Sequence, residues 1–283
     1  MKTRNLLIIT LLSLGLALLI ASCKKDETMD QEMPAQDTEL KAAKDDAIAE
    51  RLFSEITDIV NEAAGHHPSN LKNVISDTIF MGPCATVTID TITFPHTITI
   101  DFGPVNCICH DGKLRRGKIN VSHTGPYWAV GTVITTTFDN YFVNDYQILG
   151  TKVVTNLGLN SADNPTWEVQ VNGTVIKPNG EEITWVGNRL REWVVGHGVP
   201  PFMWWDDIYH ITGSHNVIAS DGTTLSAVIT QPLEIALNCY WIRKGVIEMQ
   251  HSDLPMITLD YGSGSCDDQA TITINGVSFS ITL

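Results

Sequence analysis

Hydrophobic positions along this chain follow three rhythms in turn. Leu6 to Ile20 is nearly continuous, interrupted only by Thr10, Ser13 and Gly15. Across residues 39–65, Ile48, Leu52, Ile56, Ile59 and Val60 recur near helical spacing among acids and bases. That spacing predicts one amphipathic helix stopping at Gly65, with its apolar side laid on a sheet. From residue 76 to the C-terminus, short runs alternate apolar and polar residues between Gly, Pro, Asn and Asp. Residues 86–89 and 97–100 read as half-buried strands joined by a turn through Phe94-Pro95-His96, and five further runs continue the theme up to residues 271–283. The expected fold is mostly β: repeated antiparallel hairpins or a meander, forming a sandwich or a curved sheet, with one N-terminal amphipathic helix.

Within residues 76–283 a unit recurs. A glycine leads a short strand, a turn and a second strand at Gly117, Gly173, Gly213 and Gly245, and a truncated copy starts at Gly276. Repeats of about 30 to 40 residues usually mark one supersecondary unit stacked on copies of itself. At two of these glycines the alternation slips by one. Ile272 and Ile274 are followed by Val277, Phe279 and Ile281, and Val169 and Val171 by Thr174 and Ile176. A β-bulge would restore the face, because glycine accepts the left-handed backbone a bulge needs. Asn-Gly is also a two-residue hairpin signal. The bulge is the favoured expectation, since Gly173 lies close to the better turn at Asn179-Gly180.

The first rhythm is too short to span a bilayer, which takes roughly 20 apolar residues. With Lys2 and Arg4 before it and Ala21-Ser22 after it, residues 1–22 read as a cleavable secretory signal. Leu19-Ile20-Ala21-Ser22-Cys23 resembles the bacterial lipobox, which implies that Cys23 is lipidated after cleavage. Acyl chains then hold the protein to a membrane without a spanning segment. Residues 23–38 are charged and lack apolar periodicity, so they are expected to form a flexible tether. Lys24-Lys25-Asp26-Glu27 resembles the charged signal with which Bacteroidota place lipoproteins on the cell surface, and Lys24 is unlike the Asp of enteric inner-membrane retention. The expected location is the outer membrane, lipid-anchored; the run reads equally as a surface address and as a plain solvated spacer, so the periplasmic and surface faces both stay open.

Five cysteines remain beyond Cys23. An exported chain meets oxidising conditions, and the repeat suggests a pairing. Cys84 precedes a hairpin ending in Gly103 and Cys107 follows that glycine; Cys239 precedes a hairpin ending in Gly262 and Cys266 follows at the same spacing. Matched bridges Cys84–Cys107 and Cys239–Cys266 are expected, with Cys109 left over or replacing Cys107. Cys107, Cys109 and His110 are potential metal donors, but no second donor cluster accompanies them, so no metal is expected.

Charge and motifs narrow the function only by exclusion. Loss of Lys2 and Arg4 with the signal takes the formal charge from −14 to −16. Binding to phosphate backbones needs clustered bases, and the one dense run, Lys113 to Lys118, reads as a solvated strand edge, so nucleic acid is not an expected partner. Nucleophile elbows, zinc-protease motifs, phosphate-binding loops and dinucleotide fingerprints are absent from the sequence, and no cofactor is expected. Asp206-Asp207 and Asp267-Asp268 read as solvated loop acids. The Gly/Pro-rich stretch 196–207 carries Phe202, Trp204 and Trp205, which form a candidate binding platform for a glycan or protein ligand. Asp77-Thr78-Ile79 and Asp90-Thr91-Ile92 resemble Bacteroidota O-glycosylation acceptor sites.

Lipobox, charged tether, helix and Thr-rich strands together resemble lipoproteins of Bacteroidota over the full length. The phrases Thr-Ile-Asp-Phe-Gly, Thr-Thr-Phe-Asp-Asn-Tyr and the terminal Ala-Thr-Ile-Thr-Ile-Asn-Gly carry the likeness. The resemblance implies export and anchoring but no activity. A binding or scaffolding module is the first expectation. A glycan-acting hydrolase would need a cleft with two convergent carboxylates, and a periplasmic carrier or chaperone would need an apolar groove within a curved sheet.

Overall fold

The computed structural model describes residues 34–64, 80–197, 206–251 and 255–283. The signal peptide, Cys23, His66-His67, Asp77-Thr78-Ile79 and the aromatic residues Phe202, Trp204 and Trp205 lie outside them. Helix α1 (Pro34–Ala63) comes first, and a 3-10 turn (Gly82–Cys84) leads into the strands. These are β1 (Thr86–Asp90), β2 (His96–Asp101), β3 (Cys107–Ile108), β4 (Leu114–His123), β5 (Val133–Val143), β6 (Tyr146–Leu159) and β7 (Pro165–Ile176). There follow β8 (Glu182–Val195), β9 (Ile208–Ile218), β10 (Thr224–Ala236), β11 (Lys244–Gln250), β12 (Ile257–Ser263), β13 (Gln269–Ile274) and β14 (Val277–Thr282).

All fourteen strands belong to one antiparallel meander that does not close on itself. It runs from β1 to β14 in sequence order, with the short β3 paired only to β4. The sheet curls around α1. Helix side chains meet Lys152 of β6, Gly173 of β7, Trp185, Arg189 and Arg191 of β8 and His215 of β9. Between Asp37 and Ala64 only Asp37 and Lys44 are exposed. The helix is therefore enclosed on its polar as well as its apolar side, which goes beyond the expected half-buried packing. It also begins earlier than expected, taking residues 34–38 from the tether. Pro34 suits that start, since a first-turn proline lacks only an amide hydrogen that the helix would leave unbonded.

The glycines behave differently from one another. At Gly117 and Gly245 the register shifts by one residue and φ is positive (82° and 119°), as a bulge requires. At Gly173 there is no bulge: the pairing runs without a shift from Asn172 to Thr174. Val169, Val171, Gly173 and Val175 all face the helix, and the apparent slip arises because glycine occupies an inward position. A Cβ there would lie 2.4 Å from Cζ of Phe53, so the missing side chain lets the helix approach. Asn275-Gly276 is the two-residue hairpin and not a bulge, with Ile274 paired to Val277 and φ positive at both turn residues.

Both expected bridges are present, Cys84–Cys107 around the β1–β2 hairpin and Cys239–Cys266 around β11–β12, with Cα separations of 5.6 and 5.7 Å. Cys109 is a buried free thiol. Burial pushes its pKa up, partly opposed by Arg115.

A candidate ligand cleft beside the helix

The interior of the curled sheet is heavily charged. In β8, Ile183, Trp185, Arg189 and Arg191 face inward and are buried, whereas Val186 and Leu190 face solvent. Burial of a charge is costly unless it is paired. The helix supplies the partners. Glu50 accepts from Arg189 Nη2 at 2.6 Å, Asp58 from Arg191 Nη2 at 3.1 Å, and Glu55 bonds Lys113 and Arg51. Arg115 is chelated by both oxygens of Asp111 at 2.7 and 2.6 Å and lies 3.7 Å from Glu55. Lys113 and Arg115 are thus buried, which corrects the reading of residues 113–118 as a solvated edge. The carboxylates that line the polar seam between α1 and residues 235–242 are occupied in holding the helix.

Lys152 departs from this scheme. Of the five buried bases Lys113, Arg115, Lys152, Arg189 and Arg191, it alone has no carboxylate within ion-pair distance among the described residues. Its amine donates to the Phe53 carbonyl oxygen and to Thr57 Oγ1. Burial, reinforced by the charge of Arg191, lowers its pKa to about 7.

Beside this lysine the last turns of α1 stand away from strands β1, β2, β4 and β5. The gap is a cleft of about 260 Å³, walled by Val60, Ala64, Ile89, Ile98, Val121 and Ile134, with Asn61, Thr91, His123 and Tyr127 as its polar side chains. That volume is just below the ~300 Å³ at which ligand pockets typically begin. A smaller void, bounded by Ile56, Thr57, Thr136, Lys152 and Val154, adjoins it; Val60, Asn61, Tyr127 and Ile134 line both.

Local structure fixes the polar rim. The loop after β4 is pinned by Asn156 Nδ2, which donates to the Tyr127 carbonyl at 2.8 Å, and by Thr132 Oγ1, which donates to the Pro126 carbonyl at 2.7 Å. Tyr127 stacks on Trp167 at 5.1 Å between centroids, and burial pushes its phenol up to about 12, so it stays protonated. His123 bonds the Gly125 carbonyl through Nδ1 at 2.8 Å, which leaves Nε2 to accept.

Next to the cleft lies an aromatic group that the sequence reading missed. Trp128, about half exposed, sits edge-on to Tyr127 and stacks on Trp193, which stacks in turn on Tyr209. Alternate inward positions at 185, 191 and 193 in β8 were the available signal. Exposed Val130, Leu157 and Leu159 extend this end of the sheet as an apolar surface. Asp207 is buried here, contrary to the expected solvated acid. Burial and the neighbouring charge of Asp206 raise its pKa to about 7. Asp267-Asp268 remains at the surface, and Asp90-Thr91-Ile92 forms an exposed turn closed by Asp90 Oδ1.

Among the described residues no cluster of His, Cys, Asp and Glu fits a metal ion, and no helix is long and apolar enough to cross a membrane. No protein-family model, curated protein or solved structure matches the chain.

Proposed function

We propose that this chain is a lipid-anchored binding module of the outer membrane, displayed at the cell surface, and that an apolar ligand occupies the cleft between α1 and β1–β5. The observation that carries the reading is the cleft itself. Six aliphatic residues wall it, a few polar groups converge on it, and it opens at the C-terminal end of α1. The tether joins the other end of that helix, roughly 45 Å away for 30 residues at 1.5 Å each.

This reading joins the expected binding module to the expected carrier. The apolar space lies at one side of the curled sheet, since α1 fills its centre. A glycan hydrolase draws less support: Glu50, Glu55, Asp58 and Asp111 each accept from Arg or Lys, and none stands free to protonate a leaving group.

Titration of decan-1-ol into the full mature chain carrying Cys23→Ser, which avoids detergent, tests the proposal by calorimetry. Saturable one-to-one binding is expected. Ile89 is half exposed at the rim, so Ile89→Asp should fold normally and weaken binding at least about tenfold by placing a charge in the mouth. Absence of saturable binding, or indifference to Ile89→Asp, overturns it.

A further inference from the structure

We infer that the ligand of this cleft bears an anionic head group, as an alkyl carboxylate does, and that Lys152 is its counter-ion; the inference rests on the apolar-ligand reading above. The interior follows one rule with one exception. Arg115, Arg189 and Arg191 each meet a carboxylate within 3.1 Å, and Lys113 bonds Glu55. Lys152 is as deeply buried as these, yet its donors go to an uncharged carbonyl and a hydroxyl. The nearby acids Glu50 and Asp58 are engaged by Arg189 and Arg191.

A carboxylate brought to this amine would complete the pairing that every other buried base already has. Space for the head group has to be opened, because the void at Lys152 is only about 10 Å³. The void at Lys152 and the larger cleft share Val60, Asn61, Tyr127 and Ile134 as a common wall, so parting of those side chains joins head-group space to chain space. Asn61, whose side chain hydrogen-bonds the phenol of Tyr127, lies on that wall, and its amide can turn a hydrogen to a carboxylate oxygen. The aliphatic lining beyond them suits a hydrocarbon chain and would repel a second charge. With a formal charge of −14 over the whole sequence, and −16 once Lys2 and Arg4 leave with the signal, the protein disfavours anions, so preference for one must come from a local cation.

The test compares decanoate with decan-1-ol on the full mature Cys23→Ser chain at pH 6.0, where the Lys152 amine and the carboxylate are both charged, with and without Lys152→Met. A charge-assisted contact predicts that decanoate binds about tenfold or more tightly than the alcohol. Lys152→Met should abolish that preference and leave alcohol binding intact. Equal affinity for the two in the unaltered chain overturns the assignment of Lys152 while leaving the apolar cleft standing. Loss of both ligands' binding in that chain overturns the cleft as well. Should Lys152→Met fail to fold, the head-group comparison in the unaltered chain still decides. A preference surviving Lys152→Met would place the counter-ion elsewhere.

Discussion

Asp46 of α1 and His215 of β9 are hydrogen-bonded to each other with both side chains at zero exposure. The other ring nitrogen, Nδ1, faces Arg189 Nη2, and a guanidinium can only donate. Nδ1 therefore accepts and Nε2 carries the hydrogen to Asp46. Trp185 stacks on the imidazole at 4.7 Å and donates from Nε1 to the same carboxylate oxygen at 3.2 Å. His215→Ala leaves the buried Asp46 carboxylate with the Trp185 donor alone and should cost about 3 kcal/mol. Urea unfolding followed by tryptophan fluorescence reads the loss; a change below about 0.5 kcal/mol would show the pair to be dispensable.

At Gly173 the demand is for space. An added Cβ meets the Phe53 ring at 2.4 Å and the Leu149 carbonyl oxygen at 2.9 Å. Gly173→Ala should destabilise by about 1 to 3 kcal/mol through overpacking. Phe53→Leu in the same chain removes the ring, so the double variant should lose less than the sum of the two single changes.

The bridges make a countable prediction. Alkylation of the denatured, non-reduced mature chain should modify Cys109 and leave Cys84, Cys107, Cys239 and Cys266 untouched. The native chain should protect Cys109, which is buried. Removing Cys239–Cys266 by paired serine substitution opens a loop spanning 27 residues and should cost about 3 kcal/mol.

Lys152 also predicts how stability varies with pH. Its folded pKa is about 7, against an ordinary value near 10.5. Between those values the unfolded chain holds a proton that the folded chain has released, so stability rises with pH across that window. Below pH 7 the penalty for burying the charge is present in full. Urea midpoints at pH 7 and pH 9 should therefore show a rise, and Lys152→Met should flatten it. An equal rise in the variant would assign the effect to other groups.

Much of the fold was legible because a meander needs only local instructions. Alternation located most of the strands, though not β6 (Tyr146–Leu159), turn residues located several of the hairpins, and the matched placement of Cys84/Cys107 and Cys239/Cys266 located both bridges. What stayed hidden was the surroundings of α1. Asp46, Glu50 and Asp58 look like a solvated face when the helix is read alone. Their meaning depends on Arg189, Arg191 and His215, which lie more than a hundred residues away in sequence. One signal was available. Arg115, Lys152, Arg189 and Arg191 share strand parity with Ile119, Val154 and Trp185, so bases stood in phase with the core. The cleft was illegible for a further reason: it is a gap between elements, and single-strand patterns do not encode gaps.

The separation of 169 residues between Asp46 and His215 sets an order of events. Strands pair with sequence neighbours and can form as they emerge, but α1 is synthesised first and has to wait for β9 before that contact can exist. A helix not yet enclosed would turn those carboxylates to water, where their charge opposes association with other chains. The acids that later bind the sheet thus serve first as the helix's own protection against aggregation.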